Sequence, residues 1–407
     1  MCSPTLCRLP RAVGAVYPGS DDRIGQDMKH LSPLSILLMA GALTPALAQD
    51  STPSFESAAA AAFESVIKEH DIPGLVVGVT HGGRHSFYQT GLASREDQQS
   101  ATPDTLFELG SISKIFNVTL AALAEERGAL SLDAPVADYL PSLRGSPAGE
   151  LTLIDLATHH TGGFPLQVPD DVADVDRLVD WLQNWRPPEP GARSYSNISI
   201  GLLGHITAGV MGMSYTDASQ TVLFPALGLK STWIDVPTDA MGRYAFGYDR
   251  KTNAPIRVTP GVLDDEAYGV KSSARDMLTL LDLELGIGTT SPEVQRAVAT
   301  TQEGRFRTRL YTQAMIWEAY PWPVDPERLV EGNGYDFILQ PQPVDEVDAV
   351  SDPRVILNKT GSTNGFGGYI AVVPSEDLGV VVLANRNYPN EARVRATLDL
   401  ITHILAE

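Results

Sequence analysis

Ser111 and Lys114 stand three residues apart at the start of an apolar run that reaches Ala124, and Lys114 is the only charge between Glu108 and Glu125. A helix that is apolar on nearly every side is a buried one. An ammonium group placed there loses hydration, which lowers its pKa and turns a lysine into a base near neutral pH. The spacing stacks the serine hydroxyl and the amine on one face of the first turn, where the free N–H groups of a helix start favour a developing oxyanion. Ser-x-x-Lys is therefore a chemically sensible nucleophile and base, although the pattern alone is a weak signal.

Two further stretches carry compatible chemistry. Lys359-Thr-Gly361 follows the apolar Val355-Ile-Leu357 and leads into the glycine-rich Ser362-Thr-Asn-Gly-Phe-Gly-Gly368, the pattern of an edge strand whose backbone a ligand approaches. Tyr195-Ser-Asn197 supplies a phenol that nearby ammonium groups would acidify, and an amide able to hold a carbonyl or a lysine. Each has a plainer reading by itself: Tyr195 as a packed tyrosine, Asn197 as a helix cap, Lys359 as a solvated strand-edge lysine. Their joint occurrence, in the order Ser-x-x-Lys, Tyr-x-Asn, Lys-Thr-Gly, outweighs those readings.

Elements must bring these residues together. The Ala-rich 53–68 and the segment 391–405 read as helices, and 111–127, 152–159, 172–185, 198–211 and 272–284 as further ones. Residues 74–90, turning at His81-Gly82-Gly83-Arg84, and 369–384, turning at Pro374-Ser-Glu-Asp-Leu-Gly379, read as hairpins. The expected fold is α/β (α+β): an antiparallel sheet flanked by the N- and C-terminal helices, built from about 49–110 and 330–407, with a mostly helical part at about 111–329 inserted between. The site is expected at the seam between them.

The chain has 407 residues, 43% hydrophobic, with 30 Lys and Arg against 50 Asp and Glu and a net charge of −20. Such a surface repels phosphate backbones and argues against nucleic-acid binding. Leu34 to Ala48 is apolar, follows Met28-Lys29-His30 and ends in Ala46-Leu47-Ala48, the form of a secretory signal peptide. We therefore expect residues 28–48 to be a leader cleaved after Ala48, residues 1–27 to precede a true start at Met28, and a periplasmic catalytic domain over 49–407. Both cysteines, Cys2 and Cys7, would leave with the leader, which excludes disulfides and thiol nucleophiles.

At these residues the chain resembles the penicillin-recognising serine hydrolases and, within them, the class C β-lactamases of the cephalosporinase kind. The resemblance spans about Phe55 to Leu405 and rests on Phe107-Glu-Leu-Gly-Ser-Ile-Ser-Lys114, Gly162-Gly-Phe-Pro-Leu-Gln-Val-Pro169, Tyr195-Ser-Asn197, Leu263-Asp-Asp-Glu-Ala-Tyr-Gly-Val-Lys271, Lys359-Thr-Gly-Ser-Thr-Asn-Gly-Phe-Gly367 and Leu383-Ala-Asn-Arg-Asn-Tyr-Pro-Asn390. It implies hydrolysis of cephalosporins and other β-lactams through an acyl-enzyme on Ser111, conferring antibiotic resistance, with Lys114 and Tyr195 sharing the serine proton. It implies an oxyanion hole from the backbone N–H groups of Ser111 and Ser362. Gln167 and Asn197 would hold the substrate's side-chain amide, Tyr268 would line the acyl side-chain pocket, and Lys359, Thr360 and Asn390 would face its carboxylate. Asn387 and Arg393 would lie beside that end.

Two departures stand out. Asn358 occupies a position that is often histidine in the relatives, and the loop from Pro343 to Asn358 is acidic (Asp345, Glu346, Asp348, Asp352). A D-Ala-D-Ala carboxypeptidase or a β-lactamase-like esterase would use the same serine, and a binding protein that retains the pocket without turnover is a further alternative. His159-His160 has no metal-ligand spacing and reads as loop or surface histidine; no metal and no cofactor are expected. No G-x-S-x-G surrounds Ser111, which disfavours a Ser-His-Asp triad. The expected partners are small β-lactams only, with no stable membrane association and a monomeric state.

Overall fold

The computed structural model describes residues 54–406, so the expected leader, its cleavage site and the start at Met28 lie outside the described residues. The sheet is made of Gly74–His81 (β1), Arg84–Ser94 (β2), Gln99–Ser100 (β3), Gly304–Arg307 (β4), Thr312–Gln313 (β5), Glu318–Pro321 (β6), Asp345–Val350 (β7), Val355–Ser362 (β8), Gly367–Val373 (β9) and Leu378–Ala384 (β10). They form one antiparallel sheet in the order β7-β4-β5-β6-β8-β9-β10-β1-β2-β3. The two expected hairpins join at its middle, where Leu75 faces Ala384 and His81 faces Leu378.

The central strands are buried on both faces, and side-chain alternation sends each face to a different core. Leu75, Val77, Val79, Tyr369 and Val380 pack under Phe55–Glu69 (α1) and the C-terminal helix, through Phe63, Val394 and Ile401. Val76, Ile370, Val372 and Val381 pack on the other side, against Lys114–Glu126 (α2), Asn197–Val210 (α3) and Ala274–Glu284 (α4). Gly78 lets α4 lie close to the sheet, because a Cβ there would meet Val381 at 3.0 Å and Leu278 at 3.2 Å. Pro292–Thr301 (α5), Pro326–Asn333 (α6) and Asn390–Ala406 (α7) complete the elements used below.

Three expectations need correction. Residues 304–321, assigned to the helical part, supply three sheet strands. These strands are two to four residues long, too short for a period-2 pattern to emerge. The acidic 343–358 stretch is not one loop: it holds strand β7, which pairs with β4 at the sheet margin and whose exposed carboxylates discourage edge-to-edge association, and the start of β8. Strand β8 is an edge for only half its length: β6 pairs with Val355 to Asn358, while Lys359 to Ser362 lie beyond that pairing.

Candidate active site

The nucleophile segment begins with a 3-10 turn, Gly110–Ser113, that runs into α2. In a 3-10 turn residues i and i+3 eclipse, which aligns Ser111 with Lys114. Lys114 is fully buried, and its three protons have three acceptors: Ser111 Oγ at 3.1 Å, Asn197 Oδ1 at 2.7 Å and the Ala267 carbonyl at 2.8 Å. The last comes from the short helix Asp264–Tyr268, whose preceding residue, Leu263, holds a left-handed φ of 60°. A leucine keeps that conformation only where its surroundings enforce it.

Asn197 reaches Lys114 because it is not the cap of α3. Ser196 fills that position, accepting the Ile198 and Ser199 N–H groups, so the Asn197 side chain is free to bridge Lys114 and Gln167 Oε1, the latter at 3.0 Å. The order of Ser196 before Asn197 is thus what converts a capping pair into a site residue.

Tyr195 lies between cations, its ring centroid 5.3 Å from Lys114 Nζ and 5.1 Å from Lys359 Nζ. Burial alone would raise its phenol. The charges of Lys114 and Lys359, with hydrogen bonding to Ser111 and Lys114, outweigh that and bring it down to about 8. Loss of hydration brings Lys114 down to about 8 as well, helped by Lys359 and opposed by Tyr195. The two groups titrate as a pair. Behind Tyr195 packs His159, its ring tilted by 56° with centroids 4.5 Å apart, and it is buried rather than a surface histidine. Burial and the nearby cations push its pKa well below the usual histidine value, so it is neutral, and it accepts from Ser196 N.

Two glycines bring strand β8 against the nucleophile loop. A Cβ on Gly110, where φ is +53°, would lie 2.5 Å from Ser362 N, and one on Gly361 would lie 2.1 Å from the Leu109 carbonyl. Their bare backbones place Ser362 beside Ser111, the arrangement in which two N–H groups can share one oxyanion.

Ser111, Gln167, Tyr195, Asn197, Tyr268, Lys359, Thr360, Ser362, Asn387 and Asn390 all line one cavity of about 410 Å³, with Lys114 bonded to its floor. Lys359 and Thr360 are buried in the cavity wall. Arg393 does not line it. It is fully buried behind β8, where it donates to the Gly361 and Gly368 carbonyls, Ser362 Oγ, Asn387 Oδ1 and the Tyr388 carbonyl. Asn358 donates to the Glu318 carbonyl and accepts from Asn333. Among the described residues no cluster of His, Cys, Asp or Glu is arranged to hold a metal ion.

Motif reading missed three residues. Arg257 lines the cavity while lying 4.0 Å over the Tyr244 ring. Glu318, fully buried, sits 3.7 Å from Arg193 and 4.0 Å from Lys359, with neither oxygen hydrogen-bonded among the described residues. Glu108, the third, is buried three residues before Ser111. None has a sequence signal beyond being a charge inside an apolar stretch.

A serine with a buried lysine and an acidified phenol, set at the seam of a ten-stranded sheet and a helical layer, defines a serine hydrolase of the β-lactamase/transpeptidase-like fold. The β-lactamase family model matches residues 59–403. A class C β-lactamase from Rhodobacter sphaeroides is 93% identical, with 86% of this chain and 99% of that one covered at a TM-score of 0.85. A β-lactamase from Sulfitobacter is 63% identical over 88% and 99%, TM-score 0.86, and a β-lactamase/D-alanine carboxypeptidase from Pseudomonas syringae is 42% identical over 86% and 99%, TM-score 0.83. The chain belongs to the β-lactamase family.

Proposed function

We propose that this chain hydrolyses the amide bond of β-lactam antibiotics, cephalosporins among them, through an ester on Ser111. The observation that carries the reading is the complete proton network at the cavity floor: Ser111 Oγ joined to Lys114, with Tyr195 held between Lys114 and Lys359. In its amine form Lys114, or the Tyr195 phenolate, accepts the Ser111 proton as Oγ attacks the lactam carbonyl. The oxyanion is received by the Ser111 and Ser362 N–H groups, and the proton passes to the departing lactam nitrogen. The same pair then takes a proton from water, which attacks the ester, and returns it to Ser111.

Lys359, Thr360 and Asn390 are assigned to the substrate carboxylate, with Asn387 beside it. Gln167 and Asn197 are assigned to its side-chain amide and Tyr268 to the pocket around that side chain. The attraction is local: Lys359 lines the cavity and offers its cation to the substrate carboxylate, within a chain whose net charge of −20 has the same sign as that carboxylate. Export with removal of residues 1–48 and action as a periplasmic monomer belong to the same proposal, resting on the leader-like sequence.

The Pseudomonas syringae relative, a β-lactamase/D-alanine carboxypeptidase, supports a second reading, a D-alanine carboxypeptidase on the same serine. Mass spectrometry with a slow cephalosporin, alongside chromogenic cephalosporin turnover, separates the two. Rapid turnover with an adduct on Ser111 that Ser111→Ala abolishes is the expected result. A stable adduct without turnover favours the peptidase, and no adduct overturns both.

A further inference from the structure

Glu108 stands three residues before the nucleophile, is 2% exposed, and accepts hydrogen bonds from three separate segments. The Tyr244 hydroxyl and the Val258 N–H donate to Oε1, each at 2.7 Å, and the Thr363 hydroxyl donates to Oε2 at 2.6 Å. An ionised carboxylate has the acceptor capacity for three donors at once, and such charge-assisted bonds are the strong ones.

Each donor belongs to a wall of the site. Val258 and Thr363 line the cavity, and Tyr244 carries Arg257, whose guanidinium also bonds the Tyr244 carbonyl at 2.6 Å. Thr363 directly follows Ser362, at the point where β8 ends and the turn to β9 begins. That turn is closed by one backbone bond, Thr363 N to the Phe366 carbonyl, and it is rich in glycine. Arg393 holds it from behind, through Gly361 and Ser362. Glu108 holds it from the side of the nucleophile. Its own main chain is anchored, since Phe107–Glu108 pairs with Lys271–Ser272 and Leu109 N bonds the Val270 carbonyl.

We infer that Glu108 is a positioning residue whose carboxylate clamps the Ser362-Thr363 turn against the Ser111 loop and so sets the spacing of the two N–H groups that receive the substrate's carbonyl oxygen. This rests on the acyl-enzyme reading above. Oxyanion donors act only at the geometry of the tetrahedral species, so a small displacement costs rate without costing ground-state binding.

The clamp is tested with Thr363→Val, which removes one bond and keeps shape, and with Glu108→Ala and Glu108→Gln. Three quantities are read: the acylation rate, the Kd of an aryl boronic acid that becomes tetrahedral on Ser111, and the Kd of the hydrolysed β-lactam, which makes no tetrahedral adduct. Thr363→Val is expected to slow acylation and weaken the boronate by a common factor of about ten, with Tm and hydrolysed-lactam affinity unchanged. Glu108→Ala is expected to do the same by about a hundredfold. Glu108→Gln keeps one oxygen for Tyr244 and Val258 and can donate to Thr363 Oγ, so it is expected to recover at least about tenfold of that loss.

Wild-type acylation and boronate binding in Thr363→Val would overturn the clamp. So would a Glu108→Ala variant that loses hydrolysed-lactam affinity as much as boronate affinity, because that marks general collapse of the pocket. If the wild type forms no β-lactam adduct, the acyl-enzyme reading fails separately, while boronate binding still reads the clamp.

Discussion

Lys114 and Glu284 are both buried, and loss of hydration brings them to the same place from opposite sides. The lysine is pushed down to about 8, and the carboxyl up to about 8. Their surroundings have little else in common. Lys114 has an oriented acceptor for every proton, a charged neighbour on the far side of Tyr195 and a cavity in front of its partner serine. Glu284, at the end of α4, accepts from Gln302 at 2.6 Å, and its other oxygen has no hydrogen-bond partner among the described residues. A displaced pKa is what burial does to any ionisable group. Chemistry requires, in addition, that the groups around it be aimed.

The contrast is open to experiment. Lys114→Ala is expected to lower the acylation rate by about a hundredfold to ten-thousandfold, the range for loss of a general base, in stopped-flow kinetics. Tyr195→Phe is expected to lose about a hundredfold in both acylation and ester hydrolysis, measured by single turnover and by persistence of the Ser111 adduct. A full-rate Tyr195→Phe enzyme would leave Lys114 to act alone.

Lys359→Met is expected to move the acid limb of the kcat/KM profile to higher pH. The sign follows from the charge: the Lys359 cation favours the phenolate of Tyr195 and disfavours the ammonium of Lys114, so removing it raises both pKa values and the base form appears later. A limb that stays in place or moves down would break the electrostatic account.

Glu284→Gln is expected to leave turnover untouched. Its effect is on stability and depends on pH. The folded carboxyl titrates near 8 and the unfolded one near 4.5, so the native state holds a proton that the unfolded chain has released. That stabilising difference is full below about pH 4.5 and is lost as pH rises through about 8. The amide has no such dependence. Relative to wild type, Glu284→Gln is expected to gain on the order of a few kcal/mol between pH 5 and 8 and then level off, as read by denaturant unfolding. A tenfold fall in turnover would erase the contrast with Lys114.

How far the sequence discloses this site depends on how local each signal is. Ser111, Lys114, Tyr195 and Lys359 sit in short motifs whose chemistry shows in the residue types, and the central hairpins and the buried α2 declare themselves by pattern. Asn197 is half legible: its neighbour Ser196 is an equally good cap, and only the fold decides between them. Glu108 is illegible as a clamp because its donors come from positions 244, 258 and 363, which no local pattern joins. The strands of 304–321 are hidden for a related reason, since pieces of two to four residues take their conformation from neighbours far along the chain.

The junction of β1 with β10 has a consequence in time. Gly74 N donates to Asn385 Oδ1 across 311 residues of sequence, at the junction where the two halves of the sheet meet. During synthesis β1 must therefore wait for residues 378–384 before it gains its second neighbour. Shortened products that stop before residue 378 would hold Ser111 and Lys114 yet lack β10, leaving β1 paired with β2 alone and the two halves of the sheet unjoined.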